Sequence, residues 1–237
     1  GGVGSWVAEA LARTGIANIT LIDLDDICAT NVNRQIHALT GTVGQLKIEA
    51  MAERIKLINP EATVNLIDDF VTPDNVGQYL GKGLTKDYDY VVDAIDSVKA
   101  KSAIIAYCKR NKIPVITTGG AGGQTDPTQI TIADVAKTIQ DPLMSKVRSQ
   151  LRRDYNFSKN TKRKFGVECV YSTEQLMYPN SDGSVCHQKS TGADSDGPMK
   201  LDCSSGFGAV TMVTATFGFV AASRVVKKII EKKVATG

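Results

Sequence analysis

Cysteine is sparse in this sequence, and the few cysteines are poorly spaced for cross-linking. Cys28, Cys108, Cys169, Cys186 and Cys203 include no C-x-x-C pair. An odd, loosely spread set fits neither a disulfide framework nor a four-thiolate zinc site. No structural zinc is expected, and the setting reads as reducing and cytoplasmic. Net charge is equally slight: 28 Lys and Arg against 25 Asp and Glu leave +3, too little by itself to mark a nucleic-acid binder. There are two histidines, His37 and His187, which read as structural or loop residues rather than general bases. No internal repeat and no secretory leader is visible, since residue 1 already lies inside a motif. The apolar stretch 206–222 runs 17 residues without a charge, the lower limit for a membrane span. Gly206, Gly208 and Gly218 interrupt it, so it reads as a buried core helix and no membrane is expected as a partner.

What is present is strand–helix alternation. Helical patterns fall at 5–14, 43–58 and 98–110, and strand-like runs at 18–23, 63–68, 88–96, 113–123 and 128–134. Such alternation predicts an α/β fold with a mostly parallel sheet and helices on both faces. Ligands of these sheets bind at the carboxyl ends of the strands, where Asp23, Asp96 and the glycines at 119–123 fall. A glycine turn opening a helix ordinarily follows a strand, so a first strand is expected ahead of residue 1. One domain is expected over 1–237: a nucleotide-binding core (1–134), a basic and flexible insert (135–200) and a C-terminal helical segment (201–237).

The opening Gly1-Gly2-Val3-Gly4-Ser5 supplies small residues and free N–H groups at a helix start, a combination suited to polyphosphate. Asp23 follows Gly4 by 19 residues, the spacing of a carboxylate on ribose hydroxyls. These two features alone fit NAD, FAD, AdoMet or ATP. Asn31, Arg34 and Lys47 add cationic and polar groups that a triphosphate needs and a pyrophosphate bridge does not. Asp96 ends an apolar strand and reads as a carboxylate for Mg²⁺, with an N-cap of the following helix as the alternative. Gly119, Gly120, Gly122 and Gly123 read as a close backbone approach to the nucleotide, or else as a tight turn. Between 145 and 166 there are eight basic residues against one Asp. Of these, Arg148, Arg152, Arg153, Lys162, Arg163 and Lys164 are the candidates for an RNA footprint, with Tyr155 and Phe157 available to stack bases. Cys169 and Cys203 are the candidate nucleophiles, although a buried structural role is commoner for such thiols.

Gly1-Gly2-Val3-Gly4-Ser5, Asp23-Leu24-Asp25, Asn31-x-x-Arg34-Gln35, Lys47 and Asp93-Ala94-Ile95-Asp96 together resemble the ThiF/MoeB family of ubiquitin-activating-enzyme-like adenylating proteins. The resemblance implies a Rossmann-like core with a family-type C-terminal extension. It implies ATP and Mg²⁺ as cofactors, with Gly1, Gly2, Gly4, Asp23 and Asp25 at the nucleotide and Asp23 on its ribose. Asn31, Arg34 and Lys47 would then hold the triphosphate, and Asp96 would bind the metal. Arg34, Lys47 and Asp96 are the expected catalytic set. The family's paired C-x-x-C motifs are absent. Segments such as "NVNRQIHALTGTVGQLK", "GGAGGQTDPTQI" and "CSSGFGAVTMVTATFGFVA" resemble one branch whose members use ATP to cyclise a threonylcarbamoyl group on tRNA through an acyl adenylate. That branch implies tRNA as substrate, a homodimer, and a link to a cysteine desulfurase and its sulfur acceptor. Competing expectations are adenylation of a ubiquitin-like sulfur carrier, a non-catalytic sulfur-relay adaptor and an NAD-dependent oxidoreductase.

Overall fold

A computed structural model describes residues 1–81, 88–179, 185–186 and 208–236. Helix α1 (Gly2–Arg13) leads through a Gly15 turn at φ +79° into strand β1 (Asn18–Ile22). Strand β1 pairs in parallel with β2 (Thr63–Ile67), with Asn18 opposite Thr63 and Ile22 opposite Ile67. The crossover between them carries α2 (Lys47–Ile58), which starts later than the sequence pattern suggested. Gly44, at φ +89°, holds the preceding residues in a turn, and Asp26 bridges to Leu46 just before the helix begins.

A second sheet runs in the order β3 (Val91–Asp93), β4 (Val115–Thr118), β6 (Glu168–Ser172), β5 (Ile130–Asp134). Strands β3, β4 and β6 are parallel, while β5 runs antiparallel to β6, pairing Ile130 with Ser172. Helix α3 (Val76–Leu80) precedes β3, and α4 (Val98–Asn111) links β3 to β4. Helix α5 (Pro142–Asp154) lies between β5 and β6, and α6 (Thr211–Thr236) ends the described chain. A short antiparallel pair, β7 (Tyr178–Pro179) with β8 (Val185–Cys186), stands apart.

Side chains alternate across a strand, so one sheet serves two cores. Ile116 and Val170 face α1 and α6, where they pack with Val3, Val7, Val213 and Phe217. Val115, Cys169 and Tyr171 face α4 and α5, among Ile104, Ile105, Met144, Val147 and Leu151. Helices therefore cover both faces. The basic stretch after 142 is in part α5, whose apolar side fills this second core. Asp141 caps α5 by accepting from the Met144 N–H at 2.9 Å, and Pro142 opens it. Both are standard helix-start signals.

The apolar segment near the C-terminus forms the first turns of α6. Val213, Phe217, Ala221 and Val225 recur at four-residue intervals and are at most 3% exposed, so that side of the helix is core. Among the described residues, no helix is long and apolar enough to cross a membrane. Helix α6 crosses α1 closely at Gly218, where a Cβ would stand 2.6 Å from Trp6 Cβ and 3.0 Å from the Val3 carbonyl oxygen.

Candidate nucleotide-binding active site

Helix α1 begins without an N-cap side chain or an acidic residue in its first turn. The first N–H groups of a helix have no partner within it, and here they face the carboxyl end of β1 as a ready anion site. Gly2 and Gly4 have no positive φ, and a Cβ on either would make only ordinary contacts, at 3.6 Å or more. Among the described residues, nothing requires glycine at these two positions.

The candidate residues gather around this end. The Gly1 backbone nitrogen lies 3.0 Å from Asp23 Oδ2. Burial opposes the charge on Asp23, while Lys47 and the Asp25 N–H favour it. Asp23 Oδ1 accepts the Asp25 N–H at 3.1 Å, and Asp25 Oδ2 accepts from Lys47 Nζ at 2.6 Å. Lys47 is the first residue of α2, and its side chain is only 8% exposed against 53% for Asp25. Its ammonium is thus fixed in place by Asp25. The stem of Arg34 lies against Gly2, and its guanidinium donates to the Thr30 carbonyl at 2.8 Å and Asn33 Oδ1 at 2.9 Å. The Arg34 carbonyl accepts from Trp6 Nε1 and Thr214 Oγ1, which ties this segment to both α1 and α6. Asn31 is buried and uses its Oδ1 to accept the Cys28 N–H at 3.1 Å, shaping the turn before Arg34.

Asp96 follows the carboxyl end of β3 in the second sheet. Gly4 packs against Ala94, two residues before it. Asp96 is exposed, and the N-cap of α4 is Ser97, whose Oγ accepts from the Ala100 N–H. The capping role is therefore taken by the neighbour. What remains at Asp96 is an exposed carboxylate at the carboxyl end of a strand.

Below this edge lies a buried polar network that the sequence reading missed. Lys101 Nζ donates to Asp93 Oδ2 at 2.9 Å and to Thr117 Oγ1 at 3.0 Å, and the Thr117 hydroxyl donates to Asp93 Oδ2 at 2.6 Å. Both ionic side chains are 0% exposed. Asp93 Oδ1 also accepts the Ile95 N–H at 3.1 Å and so turns the chain toward Asp96. A signal was available: Lys101, Ile104, Ile105 and Cys108 share one buried helix face at i, i+3, i+4 and i+7. A lysine at such a position needs a buried partner.

The glycine loop departs from the first expectation at Gly119. A Cβ there would stand 1.9 Å from Asp141 Oδ2, so the close approach Gly119 permits is to the chain itself. Asp141 is buried and accepts the Gly120 N–H at 3.0 Å. Burial raises its pKa against the opposing effect of its backbone donors. The tight-turn alternative accounts for Gly119, and Gly123, at φ +72°, belongs with it.

Cys169 is 0% exposed, and burial drives its thiol well above the ordinary value. It is not poised as a nucleophile. Cys203 and His187 lie outside the described residues. His37 is 3% exposed, and neither ring nitrogen has a partner among the described residues. Burial pushes its pKa down to about 4, with Lys47 adding to the effect.

The basic candidates do not form one uniform face. Arg148 is half-buried and bonded to Thr138 Oγ1, and Arg152 lies 5.4 Å from the centre of the Phe165 ring. Phe157 packs edge-on against Phe165 at 4.9 Å, so its ring is taken by the core and not presented for stacking. Arg153 pairs with Asp154, while Lys162, Arg163 and Lys164 are exposed.

An α/β fold with an uncapped helix start beside carboxylates and two cations is of a nucleotide-binding class. The ThiF family profile matches residues 1–236, and the chain belongs to that family. It is 63% identical over 237 residues to the Escherichia coli tRNA threonylcarbamoyladenosine dehydratase, covering all of this chain and 86% of that protein. The Haemophilus influenzae protein of the same name is 62% identical over 233 residues, covering 98% and 84%. The solved E. coli dehydratase in complex with ATP superposes with a TM-score of 0.85 at 58% identity, covering all of this chain and 85% of that one.

Proposed function

We propose that the chain is an ATP-dependent tRNA threonylcarbamoyladenosine dehydratase. The observation that carries the reading is the gathering of Asp23, Arg34 and Lys47 at the uncapped N-terminus of α1, whose Gly4 packs against Ala94 in the segment leading to Asp96. A carboxylate is a poor electrophile because an oxide must leave. The threonyl carboxylate therefore attacks the α-phosphorus of ATP, pyrophosphate departs, and an acyl adenylate forms. The tethered carbamoyl group then attacks the acyl carbon, AMP carries the oxygen away, and the substrate has lost one water. Tethering gives a high effective molarity, so no enzyme thiol is needed, in keeping with the buried Cys169.

Residue roles follow from position. The α1 N–H groups face the phosphates and Asp23 the ribose, with Asp25 holding Lys47 in register. Lys47 and Arg34 offset the charge that grows on the departing pyrophosphate. Asp96 is a hard oxygen donor of the kind Mg²⁺ takes alongside substrate phosphates, and the ion when bound neutralises phosphate charge. The tRNA footprint includes Arg153, Lys162, Arg163 and Lys164, with Arg148 and Arg152 behind them. Val32, Leu39 and Val43, between 50% and 64% exposed, supply apolar surface for a homodimer contact. The same reading takes the enzyme as cytoplasmic, as one domain over 1–237, and as linked to a cysteine desulfurase and its sulfur acceptor.

The test is mass spectrometry of threonylcarbamoyl-modified tRNA incubated with the protein, ATP and Mg²⁺. Loss of one water, matched by release of AMP, is expected. Adenylate exchange with a ubiquitin-like carrier and none with tRNA would overturn the reading.

A further inference from the structure

Two surface hollows lie at the end of the sheet away from Asp96. Helix α4 starts just after Asp96 and runs 14 residues to Asn111, a length of about 21 Å. At its far end one hollow of about 330 Å³ is lined by Lys109, Arg110, Tyr155, Asn156 and Lys164 among others. A second, of about 270 Å³, shares Lys109 and adds Lys112 and Gly166. Lys109 and Arg110 come from α4, and Tyr155 and Lys164 from the segment between α5 and β6, so only the tertiary fold joins them.

The lining is cationic and aromatic together. Lys109, Arg110, Lys112 and Lys164 supply four positive charges, and Lys162 and Arg163 continue them on the exposed turn. The neighbouring acid, Asp154, is taken by Arg153 through contacts of 2.7 and 2.9 Å. Burial, reinforced by Asp154, raises the Tyr155 pKa and keeps the phenol neutral. Behind it the Phe157–Phe165 pair, with Arg152 beside the Phe165 ring, makes a firm floor. Basic residues at a helix C-terminus also offset its dipole, which accounts for Lys109 and Arg110 alone. It does not account for Lys164 and Tyr155 meeting them around a hollow.

We propose that these hollows form a remote RNA-docking site, which grips tRNA about 20 Å from the reacting adenosine. The proposal rests on the dehydratase reading and adds where the body of the substrate is held. Phosphates meet the lysines and Arg110, and Tyr155 offers a face for base or ribose contact. An acidic protein would use the charges but has no need of the aromatic hollow. A nucleic-acid strand uses both.

Arg110 and Lys164 are exposed, so the double variant Arg110→Glu/Lys164→Glu is expected to fold. Fluorescence anisotropy on the full chain compares intact tRNA with a short anticodon-loop RNA that lacks the stem, across a salt series. The variant is expected to bind intact tRNA roughly 10-fold or more weakly, with a salt slope lower by about 1–2. Its affinity for the loop RNA and its thermal shift with ATP should match the wild type. Wild-type affinity and slope for intact tRNA would overturn the proposal. So would equal losses on both RNAs, which would place these charges at the reacting end. If the wild type does not dehydrate modified tRNA at all, the dehydratase reading fails. If it does and the variant binds normally, only the docking site fails.

Discussion

At the scale of single residues, the site separates groups already committed to the fold from groups held available. Asn31 and Asp25 are spent on shaping a turn and holding Lys47, whereas Asp96 is exposed with its capping role passed to Ser97. Asp96→Ala should therefore leave the melting temperature unchanged while lowering kcat for tRNA dehydration by about 100-fold or more, read from paired melting and turnover measurements. His37 is a different kind of residue, buried without a partner among the described residues. Its pKa is about 4 in the folded protein against 6.5 as the ordinary value. Between those values the unfolded chain holds more protons, so stability falls as pH drops from 6.5 toward 4 and is fully present above 6.5. Urea titrations across that window should show this slope in the wild type and a shallower one in His37→Asn.

At the scale of elements, two contacts place the edge of the site. Asp93 turns the end of β3 toward Asp96 while Lys101 of α4 and Thr117 of β4 hold it from below. Breaking one side of such a buried ion pair is costly. Lys101→Met should destabilise the protein by about 3–5 kcal/mol, measured by chemical denaturation. The α1–α6 crossing is set by Gly218, where an added methyl would meet Trp6 and the α1 backbone. Gly218→Ala should cost about 1–3 kcal/mol, seen as a lowered denaturation midpoint, because neither helix can retreat without opening the core they share. The start of α1, and with it the anion site, would shift too.

Across the whole molecule, the two faces of one sheet divide the labour. One face seats α1 and α6 and so aims the nucleotide edge, and the other seats α4 and α5 and so builds the basic end. The cysteines report on this division. Cys28 is exposed, while Cys108 and Cys169 are buried with their thiols pushed upward, Cys108 to about 12. Iodoacetamide treatment of the native protein, followed by peptide mass spectrometry, should label Cys28 and spare both buried thiols. Unfolding in denaturant should expose them together, since they lie in one core.

The residues proposed for the nucleotide edge stand out in the linear order because they sit at strand ends and helix starts. There, local chemistry fixes the conformation: glycine at the opening of α1, Asp23 after β1, Asp96 after β3. The α/β alternation was legible for the same reason, being a matter of period and of local stops. Helix α5 is not read from the sequence, where 135–200 reads as a basic and flexible insert: Asp141-Pro142 carries a start signal, but the charges mask the apolar side formed by Met144, Val147 and Leu151. What only the tertiary structure decided are pairings between distant segments. Lys101 found Asp93 and Thr117, Gly119 yielded to Asp141, Phe157 was taken by Phe165, and Lys109 came to share a hollow with Lys164. Sequence determines which side chains an element offers and in what rhythm. Packing decides which of them meet, because burial makes each polar group find a partner wherever the chain brings one within reach.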